Sequence, residues 1–287
     1  MSTSTSTSAT NSPTDASARA AASVTTRSGL SFVGVLRSEW IKLWSLRSTV
    51  WSFALVIVVS LGMALLISLS TRLDQSGAAI APDDQVRTVV PAATVGIFFA
   101  QMIVAVLGVM AVTGEYSTGM IKSSLTAVPK RLPMLAGKAI VVFVATYLVG
   151  LGSILGSYLV ASPILAQRDI GASLAEPELL RGLFAGPLFL ALIAVFALGL
   201  GTIFRSTAGG IATALGILLV LPIVLALIPA EWATTATPYL IGNAGPEIVS
   251  PSGYTAVEEW WQNLLIVIGW VAVSGVIGAV LLKRRDA

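Results

Sequence analysis

The chain has 287 residues, of which 55% are apolar and 11% carry charge, with a net charge of +3. Its mean hydropathy is +0.88, outside the soluble globular range in the direction of membrane proteins. It contains no cysteine and no histidine, which excludes disulfides, iron–sulfur clusters and thiolate zinc sites and removes the commonest general base and metal ligand.

Residues 1–29 form a Ser/Thr/Ala-rich stretch with few large apolar side chains. Such a segment buries too little surface to offset chain entropy, so a disordered cytoplasmic tail is expected, and it has no apolar core of a secretory signal. Leu30 to Arg47 is amphipathic. On a helical projection Phe32, Val33, Leu36, Trp40, Leu43 and Trp44 share one side, with Ser38, Lys42 and Ser45 opposite. The pattern predicts an interfacial helix, its apolar side in the headgroup boundary and its bases at the rim. Glu39 falls on the apolar side and breaks the pattern. Two readings stay open for it, a pair with Lys42 or Arg47 and a contact with a cytoplasmic partner.

Beyond residue 47 the chain keeps charge out of six long runs, 48–71, 88–114, 139–167, 182–204, 206–230 and 260–282. About 20 apolar residues cross roughly 30 Å of hydrocarbon as a helix. The fold class expected is therefore all-α and polytopic, with six spans at about 50–70, 91–112, 139–161, 183–204, 209–229 and 262–282, forming one transmembrane domain over 30–287. If the N-terminus is inside, inner segments hold 13 of the 17 bases and outer loops hold Arg72, Arg87, Arg168 and Arg181. The bias predicts both termini on the cytoplasmic side of the cell membrane. The tight turn at Arg205 divides spans four and five. Reading 182–230 as one broken helix would put the basic Lys283-Arg284-Arg285 end outside.

The polar stretch between spans two and three begins Glu115-Tyr116-Ser117-Thr118-Gly119-Met120-Ile121-Lys122 and continues through Leu125-Thr126-Ala127-Val128-Pro129-Lys130-Arg131 to Pro133. Proline at 129 and 133 ends any helix there. Together with Arg37-Ser38-Glu39-Trp40-Ile41-Lys42-Leu43-Trp44-Ser45-Leu46-Arg47-Ser48 ahead of the first span, this stretch resembles the permease subunits of type-2 ABC transporters, in an actinobacterial-looking group. The resemblance covers roughly residues 30–287. It implies that the first segment is a cytoplasmic connecting helix, with Glu39, Trp40, Lys42, Leu43 and Trp44 on it. It also implies that the second contains a coupling helix resting on a separate ATPase subunit through Glu115, Tyr116, Thr118, Gly119, Met120, Lys122, Lys130 and Arg131. Glu115 is expected to pair with Lys122 or a base of the ATPase, and Lys130 and Arg131 to meet acidic groups of that partner or lipid phosphates. A second permease copy and the bilayer complete the expected partners, without nucleic acid. ATP and Mg²⁺ belong on the ATPase and no cofactor on this chain.

No G-x-x-x-x-G-K-[ST] phosphate loop occurs, so ATP work would come from another chain. The spans hold no Asp, Glu, Lys or Arg, which speaks against a proton-driven carrier. A sodium-coupled carrier using backbone carbonyls and a polytopic scaffold or assembly protein remain alternatives; an enzyme is not expected. Gln101, midway along span two, reads as an interhelical hydrogen bond or a candidate substrate-path residue. Gly108, Gly150, Gly152, Gly156, Gly199 and Gly201 read as close-packing positions, with Gly152 and Gly156 as a small-xxx-small pair. The outer loop 231–259 has no base, and the family resemblance suggests a short re-entrant or interfacial helix over Trp232–Ile241.

Overall fold

The computed structural model describes residues 31–71, 82–117, 119, 131–173, 176–249 and 259–284; the 1–29 tail lies outside them. Among the described residues there are helices and no strands. The helices are α1 (Phe32–Ser45), α2 (Arg47–Ser70), α3 (Pro82–Thr94), α4 (Gly96–Ser117), α5 (Arg131–Ala166), α6 (Pro177–Phe204), α7 (Thr207–Leu215), α8 (Leu221–Ala226), α9 (Glu231–Ala236), α10 (Ile241–Val249) and α11 (Trp260–Arg284). Six segments are long and apolar enough to cross a membrane: Arg47–Ser70, Gln85–Ser117, Arg131–Ala166, Pro177–Phe204, Thr207–Ala226 and Trp260–Arg284. They coincide with the six uncharged runs, and the chain is a multi-pass, all-helical membrane protein. The second span is α3 and α4 joined at Val95, and the fifth is α7 and α8 joined by a π-helical turn at Gly216–Val220. Arg205 separates spans four and five with a left-handed φ of 53°, so 182–230 is two antiparallel helices, not one broken one.

Lipid tails are as apolar as leucine, so burial alone does not hold such helices together; close van der Waals approach does. The hub is α6. Of its most apolar window 72% is buried, against 17–22% for α2, α7–α8 and α11. Small residues bring its neighbours in. A Cβ on Gly108 of α4 would stand 2.1 Å from the Ala194 carbonyl oxygen, and one on Gly199 2.7 Å from Ser274 Oγ of α11. Gly150 lies against Pro187, and Gly201 against Val109 and Val112. Gly156 lies against Leu61, and a Cβ on Gly152 would meet nothing within 4 Å, so within the described chain only one member of the pair packs.

Side chains tie the two ends of the bundle. At one end Arg168 reaches back over the last turn of α2. Its Nη1 donates to the Ser68 oxygen at 3.2 Å and to the Thr71 oxygen, and its Nη2 donates to Leu69 at 3.1 Å. Helix C-termini leave unpaired carbonyls that a guanidinium satisfies well. At the opposite end Thr207 Oγ1 donates to Thr113 Oγ1 at 2.9 Å. Arg131 Nη1 donates to the Leu282 carbonyl at 2.9 Å, and the Arg205 guanidinium stands 5.3 Å over the Tyr116 ring.

The segment between spans five and six differs in its bounds from the expected Trp232–Ile241. α9 carries an exposed Trp232, and the inserted helix is α10. A Cβ on Gly242 would come within 2.6 Å of the Leu218 oxygen, and Phe189 occupies the space beside Gly245. Leu218 precedes the end of α8 by eight residues, about 12 Å of helix rise, so α10 starts well inside the bundle. Glycines at 242 and 245 allow that depth. They also leave Glu247, which the sequence places in an outer loop, 9% exposed inside the fold.

Candidate functional site

The polar centre of the molecule lies where α1, α4 and α5 meet. α1 packs on α5 through a stripe of Val35, Glu39 and Leu43, one residue per turn. Gly137 of α5 makes the approach close, since a Cβ there would stand 3.0 Å from Val35 Cγ1. Glu39 is therefore not a flaw in an apolar face. It lies on the face that meets the bundle, 4% exposed, while Trp40, Ile41 and Trp44 face outward. Of the two readings left open for Glu39, the pair with Lys42 is the one made, at 2.8 Å.

Glu39 Oε2 accepts from Lys138 Nζ at 2.5 Å, and Glu39 Oε1 from Lys42 Nζ at 2.8 Å. Both ammonium groups also donate to Glu115 Oε1, Lys138 at 2.9 Å and Lys42 at 3.3 Å. Two carboxylates and two ammonium groups thus form a neutral quartet joining three helices. Glu39, Glu115 and Lys138 are buried and Lys42 is half-buried. Lys42, expected at the lipid rim, turns inward. Glu115 pairs with Lys42 and Lys138; Lys122, its expected partner, lies outside the described residues. Burial pushes the Glu39 carboxyl up, but Lys138 and Lys42 outweigh it and hold it below its ordinary value. For Lys42 burial pushes the ammonium down, and its bonds to Glu39 and Glu115 outweigh that and raise it. Charges out of water persist only when paired in this way.

Two of these residues lie within membrane-length helices. Glu115 is two residues from the end of α4, and Lys138 is about 10 Å along α5. Both lie just beyond the uncharged runs, in helices that continue past them, so the expected spans themselves still hold no ionisable group. Lys138 is the residue sequence reasoning missed, counted there only among the 13 inner bases. A signal was present: Glu39 falls on the apolar side of the projection, and Glu115 stands directly at the end of the second uncharged run.

The remaining candidates divide. Tyr116, expected to enter a partner's groove, is half-buried within the bundle beneath Arg205. Arg131, expected on a partner or on lipid phosphate, donates to Leu282. Gly119 has a φ of 71°, the left-handed conformation that ends a helix readily only at glycine. Thr118, Met120, Lys122 and Lys130 lie outside the described residues. Gln101 is fully buried, and neither Nε2 nor Oε1 has a hydrogen-bond partner among the described residues. Among the described residues the interhelical hydrogen bond is not made. Among the described residues no group of three acidic, His or Cys side chains could hold a metal ion.

Searches against protein-family models and against curated proteins give no match to this chain.

Proposed function

We propose that the chain is the permease subunit of an ATP-driven ABC transporter of the type-2 group, an exporter that works with a separate ATPase and a second permease copy. The observation that supports this reading is the quartet. The two segments that carry the family resemblance are 67 positions apart at the least, 115 − 48, and one residue of each, Glu39 and Glu115, meets on Lys138. A chain with no phosphate loop must receive work by contact, and a rigid three-helix joint beside the 118–130 loop would pass a push on that loop to α4 and α5 together. In this reading the quartet end and both termini are cytoplasmic, consistent with the placement of 13 bases. Trp40 and Trp44 would lie in the inner leaflet.

The test is purification of the tagged full-length chain from its host membrane, followed by assay of ATP hydrolysis in the complex. A co-purifying subunit with a phosphate loop is expected. Glu115→Gln is expected to insert normally and to retain that subunit while uncoupling its ATP hydrolysis from the permease. Absence of any nucleotide-binding subunit, with undisturbed folding of the chain alone, would overturn the proposal in favour of a scaffold.

A further inference from the structure

Span two bends beside α10. Pro91 removes a backbone donor from α3, and Val95 joins α3 to α4 through a tight turn in which Phe98 N–H donates to the Val95 carbonyl at 3.2 Å. Gly96 then draws α4 against α2, since a Cβ on it would stand 2.5 Å from Ser60 Cα. Between this joint and α10 lies a groove of about 350 Å³, walled by Pro91, Val95, Ile97 and Phe98 on one side and by Pro246 and Val249 on the other. Pro91 and Phe98 on its rim are exposed. Thr94 also lines it, but its hydroxyl donates to the Val90 carbonyl at 2.8 Å, so its proton is already engaged.

We infer that this groove holds one acyl chain of a phospholipid, from the leaflet at the Arg168 end of the bundle. Depth decides the medium. The uncharged run 88–114 has its midpoint at residue 101. Pro91 therefore lies about 15 Å from the bilayer centre and Phe98 about 5 Å, both within one half of the hydrocarbon. Chemistry decides which part of the lipid enters. A headgroup there would find no charged side chain and would lose its hydration uncompensated, whereas a chain loses nothing. Size decides the number. At about 30 Å³ for a small group the groove takes about a dozen, the order of one alkyl chain. Leu218 and Phe189 back α10 on its glycine side, and the chain completes its contacts at Pro246 and Val249. The site is independent of the chain's orientation and of any ATPase.

The test compares two bilayers with one headgroup, dioleoylphosphatidylcholine and the methyl-branched diphytanoylphosphatidylcholine. Each holds the full-length protein and a trace of a phosphatidylcholine with a diazirine on a straight chain. After irradiation, adducts are mapped by mass spectrometry at 94–98 and 246–249. The reference positions are Leu66 of α2 and Leu265 of α11, 58% and 57% exposed and at similar depth in their runs. Branched host chains overfill a groove of this width, so the straight-chain probe should concentrate in it, and the groove-to-reference ratio should rise about fivefold in the branched bilayer. Val95→Trp, which fills the groove, should give the same ratio in both bilayers. An unchanged ratio in the unaltered protein would reveal ordinary lipid contact. Groove positions without adducts in either bilayer would reveal a protein cover, such as a second copy. A rise that survives Val95→Trp would place the chain elsewhere. Any of the three would overturn the inference.

Discussion

Lys138 carries two ion pairs on one ammonium group, so its loss leaves Glu39 and Glu115 buried and sharing only the half-buried Lys42. Removing one member of a buried charge set costs about 3–5 kcal/mol. Lys138→Met should destabilise the purified protein by that order in thermal unfolding, and Glu39→Gln added to it should restore a large part by returning the site to neutrality. Both shifts in Glu39 and Lys42 stabilise the folded state. Glu39, held low, contributes above its ordinary carboxyl range and loses that contribution as pH falls through its lowered folded value. Lys42, held high, contributes below its ordinary range and loses it as pH rises through its raised value. A spin label on Ile41→Cys of α1 should keep one line shape across neutral pH and become mobile only in strong acid or strong alkali. A transition near pH 7 would contradict the assignment. Gln101 makes the opposite case, a buried amide with no hydrogen-bond partner among the described residues. Gln101→Met should raise stability by about 1–3 kcal/mol, read as a higher unfolding midpoint.

At the scale of elements, the ends of helices and the contacts between them carry separate burdens. Arg168 holds three carbonyls at the C-terminal end of α2, two of its last turn and that of Thr71 just beyond it, from the segment after α5, so Arg168→Ala should cost about 1–2 kcal/mol. Arg168→Lys should recover only part of this, because an ammonium cannot span three acceptors as a planar fork does. The glycines separate by what lies beside them. Gly108→Ala drives a methyl into the Ala194 carbonyl and should cost at least about 1–3 kcal/mol as overpacking. Gly152→Ala enters open space and should be neutral or stabilising by up to about 1 kcal/mol through helix propensity. Unfolding of the two variants in the same detergent distinguishes them. A sequence that shows both as span glycines does not.

For the whole molecule, six alternating crossings put the Arg168 end and the Arg131 end on opposite faces of the membrane. Ser173→Cys and Thr235→Cys, both exposed, should react with an impermeant maleimide from one side, and Ala208→Cys, also exposed, from the other. In the proposed orientation the first two react from outside intact cells. Labelling of all three from one side would contradict six crossings.

Sequence alone determined the crossings, because exclusion of charge from hydrocarbon acts on each run of about 20 residues without reference to any other part of the chain. It also marked Glu39 as an acid on an apolar side, Glu115 as the acid ending the second uncharged run, and the close-packing glycines at 108, 150, 156, 199 and 201, but not Gly96, Gly186, Gly210, Gly242 or Gly245. It could not show that Val35, Glu39 and Leu43 of α1 meet α5, because its projection contains no Gly137. Nor could it pair Glu115 with Lys138, or place Glu247 inside the bundle. Those outcomes depend on which helix surfaces meet. In a bilayer that choice rests on close backbone approach and on finding partners for polar groups, and both are properties of the assembled bundle.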